Sequence, residues 1–355
     1  MKIYVILISL LLVRVFGDSE ISAKAMPDVH VVSISKAFDN GEHNAFTDLC
    51  RFNDKIYLTF RTCPDGHMVF PSSSILVLSS VDGQTWEQVH SFSVENRDTR
   101  DPHFLVFQNK LFVFTGTWLC KNDDPGGETR DLNQHLGYCV WTSNGTNWNG
   151  PEMLEGTYGH YIWRAATYNG NAYLCGRRKH EFREMPRNDE SQRITESAML
   201  ESDDGIIWKK AALFQEHNGD ETAFLFKSDG TVLAVARRGT ANAELCRSKP
   251  PYQEWQRKDL CCYVGGPLLA EWNDHYIVGG RKMTADGLKT TVLYWLVDDQ
   301  LHECLQFPSG GDNSYPGFVK LDENRALVSY YSSHEKDENG DSITAIYVAV
   351  LEMQE

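Results

Sequence analysis

Arginines, carboxylates and a tyrosine recur in this chain where a repeated hairpin would gather them. Arg61, Arg177, Arg237 and Arg281 each close a short stretch in which an apolar run meets a polar turn and a second run leads away. Trp118, Arg238 and Tyr331 fall at or beside the equivalent place in the same repeat. A hairpin sets the start of its first strand beside the end of its second. Opposite these residues therefore stand Ala45-Phe46, Arg100-Asp101, Trp163-Arg164, Asp220-Glu221, Gly265-Gly266 and Asn313-Ser314-Tyr315. Arginine forks hold carboxylate, sulfate or phosphate bidentately, and aromatic faces take sugar rings. One arginine alone is more often half of a structural ion pair. Four at a single repeat position shift the reading toward an anionic ligand.

The elements that must position these residues are six: Arg51 to Arg61, Val106 to Gly116, Thr167 to Arg177, Lys227 to Arg237, Glu271 to Arg281 and Lys320 to Tyr331. They recur at intervals of 44 to 61 residues, a radial β-repeat whose spacing suits a four-stranded blade. The expected fold is all-β, a six-bladed β-propeller of antiparallel blades around a central channel. The first strand of each blade lies innermost, so the two sets of residues ring one mouth of that channel. The last strand is expected to close the ring with sequence from about His30 to Ser35.

A second repeat interleaves with the first. Ser80 to Trp86 and Ser202 to Trp208 fit S-x-D-G-x-x-W, and Thr142 to Trp148 is a softened copy. Asp or Asn with Gly supplies the turn, and the tryptophan is expected to pack that turn onto its blade. These turns are read as structural.

Residues Met1 to Gly17 read as a signal peptide: Lys2, an eleven-residue apolar run from Ile3 to Val13, then small residues. The run is too short to span a bilayer. Asp18 to Val29 reads as a short leader, and 30–355 as one domain. A secreted, extracellular protein without membrane insertion is expected. Without the signal the chain has 32 basic and 49 acidic residues, a balance of −17, which argues against nucleic acid and anionic membrane as partners. Nine cysteines in a secreted chain permit disulfides, with at least one thiol left over. No zinc spacing or dedicated metal site is visible, and no cofactor is expected. Asn144 opens the one glycosylation sequon. Glu181 to Arg193 is a charged insertion, read as a surface loop.

The combination resembles the sialidase (neuraminidase) superfamily, as a divergent sialidase-like propeller with Asp-box repeats. The most specific stretch runs from Glu221 through Asp229-Gly230 to Arg237. Gly310 to Pro316 is similar to the segment that carries the sialidase nucleophile, and Arg281 lies 34 residues before Tyr315. The resemblance implies a tyrosine nucleophile at Tyr315, with Glu221 as its base because a phenol of pKa about 10 needs one. It implies that Arg237 and Arg281 hold an anionic substituent. The sequence also departs from the family. Where sialidases open the first blade with R-I-P, this chain has Ala45-Phe46-Thr47, so Arg61, Arg164 or Arg100 would have to supply the third arginine. In the loop after the first hairpin, Asp65 and His67 are both candidates for the acid/base, with Asp101 a third. Trp163 is expected to contact substrate.

Three functions follow. The first is a retaining glycosidase acting on an anionic or sialic-acid-like glycan. The second is a glycan-binding or matrix propeller without turnover. The third is a polysaccharide lyase drawing on His67, His160, Tyr161 and Tyr315. His334 and Glu335 follow the sixth hairpin and are expected near the mouth.

Overall fold

The computed structural model describes residues 26–120, 131–184, 193–284 and 286–354. The signal sequence and most of the leader lie outside the described residues, as does part of the charged insertion.

Six four-stranded antiparallel sheets form a six-bladed β-propeller. Blade 6 opens the chain with its outermost strand, β1 (Asp28–Phe38). Blade 1 holds β2 (His43–Phe52), β3 (Lys55–Cys63), β4 (Ser74–Ser80) and β5 (Glu87–Phe92). Blade 2 holds β6 (Arg97–Phe107), β7 (Lys110–Leu119), β8 (Leu136–Thr142) and β9 (Trp148–Met153). Blade 3 holds β10 (Tyr161–Tyr168), β11 (Asn171–Lys179), β12 (Thr195–Ser202) and β13 (Lys209–Gln215). Blade 4 holds β14 (Thr222–Phe226), β15 (Val232–Arg238), β16 (Ala241–Ser248) and β17 (Trp255–Asp259). Blade 5 holds β18 (Gly265–Trp272), β19 (His275–Met283), β20 (Lys289–Val297) and β21 (Gln300–Gln306). Blade 6 is completed by β22 (Asn313–Lys320), β23 (Arg325–Lys336) and β24 (Ser342–Gln354).

The inner strands β2, β6, β10, β14, β18 and β22 touch one another in order around the ring. β1 pairs antiparallel with β24, from Asp28 opposite Gln354 to Phe38 opposite Ile346. This places the N-terminal strand on what would otherwise be a free edge.

The inner hairpins form where the sequence offers residues that tolerate left-handed backbone. Asn53-Asp54, Gln108-Asn109, Asn169-Gly170 and Asn273-Asp274 all have positive φ at both central positions. That is the two-residue turn whose twist matches paired strands. Apolar side chains then interlock between blades. Tyr57 meets Phe104 at 6.4 Å, Phe114 meets Trp208 at 5.6 Å, and Trp272 meets Phe318 at 5.6 Å.

The three S-x-D-G-type turns share one geometry. Asp82 Oδ1 accepts from the amides of Gln84 and Thr85 at 2.8 Å each. Asp204 does the same at 2.7 and 2.8 Å, and Asn144 at 3.0 and 2.8 Å. The amides of Thr85 and Gln84 pull the Asp82 carboxyl down to about 2. One expectation needs correction. These turns lean on the preceding blade as well as their own. A Cβ on Gly145 of blade 2 would lie 2.1 Å from the Tyr57 hydroxyl of blade 1, and Trp148 stacks on His90 of blade 1 at 4.8 Å. They clamp neighbouring blades together.

The nine cysteines are free thiols, so the disulfides that secretion would permit are not formed in this structure. Among the described residues no helix is long and apolar enough to cross a membrane.

Candidate active site

Five of the six inner strands break register at the same place. The shifts lie between Ala45 and Asp48, Arg100 and His103, Ile162 and Ala165, Gly265 and Leu268, and Ser314 and Gly317. A bulge re-aims the side chain it contains. Phe46, Asp101, Gly266 and Tyr315 sit in these bulges with φ of +64°, +53°, +59° and +53°. Left-handed backbone is costly for an aromatic residue and clusters at functional sites. Gly266 is required by its neighbour: a Cβ there would meet the Tyr315 ring at 2.7 Å.

Tyr315 is nearly buried, and its hydroxyl donates to Glu221 Oε1 at 2.9 Å. The second oxygen of Glu221 accepts from Arg237 Nη1 at 2.9 Å and from the Gly266 amide at 3.1 Å. Glu221 is thus fixed with one oxygen facing the phenol. Burial drives the Tyr315 pKa well above 10, the Glu221 charge adds to it, and Arg237 and Arg281 oppose it. The Arg281 guanidinium lies 5.5 Å over the Tyr315 ring. Next to Glu221, Asp220 pairs with Arg177 and, at 3.4 Å, with Arg237. Burial alone would favour the neutral Asp220 acid, but these two guanidinium groups outweigh it and hold the carboxyl below its usual range.

Asp101 has the opposite character. It is 5 % exposed, and its Oδ1 has no hydrogen-bond partner. Burial raises its pKa to about 7, with Arg100 opposing and Glu221 adding. Two acidic groups within electrostatic reach therefore differ in setting: Glu221 accepts a hydrogen bond from the Tyr315 hydroxyl, and Asp101 has its pKa raised to about 7 by burial.

A third cluster lies against the same tyrosine, at the seam of blades 6 and 1. Asp312 Oδ2 contacts His43 Nε2 and His67 Nδ1, each at 2.8 Å. Its Oδ1 accepts from the Tyr331 hydroxyl at 2.8 Å and from Arg281 Nη2 at 3.3 Å. Burial opposes its charge, but the two imidazoles outweigh that and hold the carboxyl far below its usual range. Phe46 packs among these groups, 4.9 Å from Tyr315, 5.5 Å from Tyr331 and 5.6 Å from His67.

The structure brings together Tyr315, Glu221, Arg237, Arg281 and Asp101, with His67 joined through Asp312. Other expected site residues stand elsewhere or are occupied. Arg61 is fully buried, bound to Asp98 at 2.8 Å and to the carbonyls of Gly66 and Met68 at 3.0 Å each. Arg164 is held by Asp48 at 2.7 Å and by the carbonyls of Pro316 and Pro267. Arg100 is held by both oxygens of Asp98. None of the three offers a free fork as a third arginine. Trp163 is 1 % exposed and packs edge-on to Tyr315 at 5.4 Å, so it supports the tyrosine from within and is not a sugar platform. Asp65 is exposed and hydrogen-bonded to Ser72 in its own loop. His160 and Tyr161 are buried; His160 bonds the Gly176 carbonyl at 3.2 Å, and Tyr161 packs on His135. His334 packs on Tyr347, and Glu335 pairs with Lys36 from β1, so neither turns inward. Asn144 is exposed, with its carbonyl oxygen committed to its turn.

Sequence reasoning missed His43 and Asp312 as site residues, along with Tyr263, whose ring lies 5.5 Å from the Arg237 guanidinium. Two of these had a positional signal. Asp312 stands three residues before Tyr315, and His43 two before Ala45.

No family model matches the sequence, and no curated protein matches it. Solved structures do share the fold. A protein of unknown function from Dyadobacter fermentans superposes with a TM-score of 0.75 at 21% identity, over 93% of this chain and 100% of that one. Trypanosoma rangeli sialidase bound to the inhibitor DANA superposes with a TM-score of 0.63 at 15% identity over 87% of this chain. The match covers 55% of that sialidase, about half its length. Phage phi92 endosialidase gives 0.65 at 10% identity, over 91% of this chain and 69% of that one. At these identities the likeness is one of architecture: the chain has a sialidase-like six-bladed β-propeller.

Proposed function

We propose that this protein is a secreted, retaining glycoside hydrolase acting on an anionic or sialic-acid-like glycan. The observation that carries the reading is the Tyr315 hydroxyl donating to Glu221 at 2.9 Å, with the other oxygen of Glu221 pinned by Arg237 and Gly266. Glu221 takes the phenolic proton as Tyr315 Oη attacks the anomeric carbon. Asp101 gives its proton to the leaving oxygen as the glycosidic bond breaks. Water then attacks the glycosyl–tyrosine, its proton passing to Asp101, while Glu221-H returns a proton to the departing phenolate. Two displacements retain configuration. Arg281 and Arg237 hold the anionic substituent. Asp101 is preferred to Asp65 and His67 as the acid because it is buried, unpartnered at Oδ1 and raised by burial to a pKa of about 7. Secretion rests on Met1 to Gly17, and the partner is a glycan or glycoconjugate.

The test is fluorophore release from aryl glycosides, a sialoside beside hexuronides and neutral sugars, across pH 4 to 8. Turnover of an anionic sugar that collapses in Tyr315→Phe supports the assignment. A Tyr315→Phe protein with full activity would sink it. A second reading, glycan binding without turnover, draws on Phe46 filling the blade 1 side of the mouth and on Arg61, Arg100 and Arg164 being engaged internally. Ligand capture on a glycan array with no hydrolysis of any of those glycosides would favour it.

A further inference from the structure

His43, His67 and Asp312 stand out once the catalytic groups are set aside. His43 begins β2, His67 lies in the loop after β3, and Asp312 immediately precedes β22. Their Nε2, Nδ1 and carboxylate oxygen all lie within 4.8 Å of one another. Two imidazole nitrogens directed at one carboxylate oxygen form a compact triangle of donors. We infer that His43, His67 and Asp312 form a divalent-metal site, suited to Zn2+, with an open position facing the mouth of the channel.

The donor set is the first argument. Two imidazoles and a carboxylate suit zinc, and three protein ligands leave a fourth position for water or a substrate oxygen. The second is preorganisation. The other oxygen of Asp312 is fixed by Tyr331 at 2.8 Å and by Arg281 at 3.3 Å, as outer partners orient a metal-binding carboxylate. The two imidazoles pack edge to face at 5.1 Å, and Phe46 braces His67. Access is the third argument. The His43 side chain is 10 % exposed but that of His67 is 45 %, so the triangle has a buried back and an open front. His43 and His67 come from blade 1 but Asp312 from blade 6, 245 residues after His67, which is why no metal spacing is visible in the sequence.

This inference rests on the glycosidase reading only for what the ion would face. Bound there, the cation sits beside Arg281, and its open position takes a carboxylate or hydroxyl oxygen of the sugar, adding positive charge where blade 1 supplies none. The ion positions substrate, and the reaction steps remain with Tyr315, Glu221 and Asp101.

The experiment is zinc binding by the full chain after chelation and dialysis, read by metal content and titration calorimetry, with cobalt(II) as a visible probe. One ion per chain is expected. Affinity should fall by about 10-fold to 100-fold in Tyr331→Phe, which removes an outer partner, and further in His67→Ala and His43→Ala. The exposed His302→Ala should bind like the parent. Chelation should raise KM for an anionic glycoside by about tenfold with little change in kcat. A parent protein that retains no zinc, or a His67→Ala variant that binds as tightly as the parent, overturns the site. The two proposals separate cleanly. Zinc bound without Tyr315-dependent hydrolysis supports the site and sinks the glycosidase. Tyr315-dependent hydrolysis in a chain that binds no zinc does the reverse.

Discussion

Arg61 and Arg281 occupy the same place in two hairpins, and the fold uses them differently. Arg61 pairs across its hairpin with Ala45, and Arg281 with Gly265. Yet Arg61 is fully buried, gripped by Asp98 and two loop carbonyls, while Arg281 rests on the Asn313 carbonyl, the Tyr331 hydroxyl and a 3.3 Å contact to Asp312. The difference lies in what the next segment brings. Asp98 from β6 and the loop carrying Gly66 and Met68 close over Arg61 and engage both of its terminal nitrogens. Beside Arg281, two imidazoles already engage Asp312. A repeat position delivers an arginine to the mouth; the neighbouring segments decide how deeply it is tied into the structure.

Substitutions at these positions test the contrast between the two arginines. The largest effect should come from the centre of the site. Tyr315→Phe is expected to lower kcat by about 10⁴-fold or more, since removing one member of a nucleophile–base unit costs at least that. Steady-state turnover of a responsive glycoside, with fold checked by circular dichroism, is the measurement.

Asp101→Asn should cost about 10² to 10⁴ in kcat/KM and abolish the fall in activity above pH 7 that its raised pKa predicts for the parent. The same residue makes a stability prediction. Its folded-state pKa of about 7 exceeds the unfolded value of 3.8, so its stabilising protonated form is fully present below about pH 4 and lost as pH rises through about 7. Relative to the parent, Asp101→Asn should therefore gain stability between pH 5 and 8.5, by on the order of 4 kcal/mol at most. Urea unfolding of both proteins at the two pH values reads this difference directly.

Arg61→Ala tests the other side of the comparison. It leaves Asp98 with one guanidinium fewer in a buried setting and should destabilise the fold by about 3–5 kcal/mol. Because Arg61 does not face the ligand, KM should hold at temperatures where the variant stays folded. Gly266→Ala should lower kcat by about 10²-fold by displacing the Tyr315 ring, with thermal melting serving as the control for fold. Arg281→Ala should behave as the inverse of Arg61→Ala. KM for an anionic glycoside should rise by about 10-fold to 100-fold, the worth of a charged hydrogen bond, with a smaller change in melting temperature. If Arg61→Ala raised KM and Arg281→Ala lowered only stability, the contrast drawn between them would be reversed.

The blade count, the inner hairpins, the ring closure and the S-x-D-G turns can all be read from the chain alone. Each rests on local chemistry: alternating apolar residues, Asn, Asp and Gly where φ must be positive, and a fixed spacing between repeats. The sequence also placed Tyr315, Glu221, Arg237, Arg281 and Asp101 on one rim, because strand register carries a repeat position to a fixed height in the channel. Which of these groups touch one another follows from the closed ring and not from the spacing. Burial, which no spacing encodes, raises the Asp101 pKa to about 7. Trp163 turned inward behind Tyr315, and Arg61 and Arg164 found carboxylates on other strands. Asp312 met His43 and His67 only because blades 6 and 1 close against each other. Charge pairing and desolvation depend on distances between segments far apart in the chain, and those distances exist only once the ring is shut.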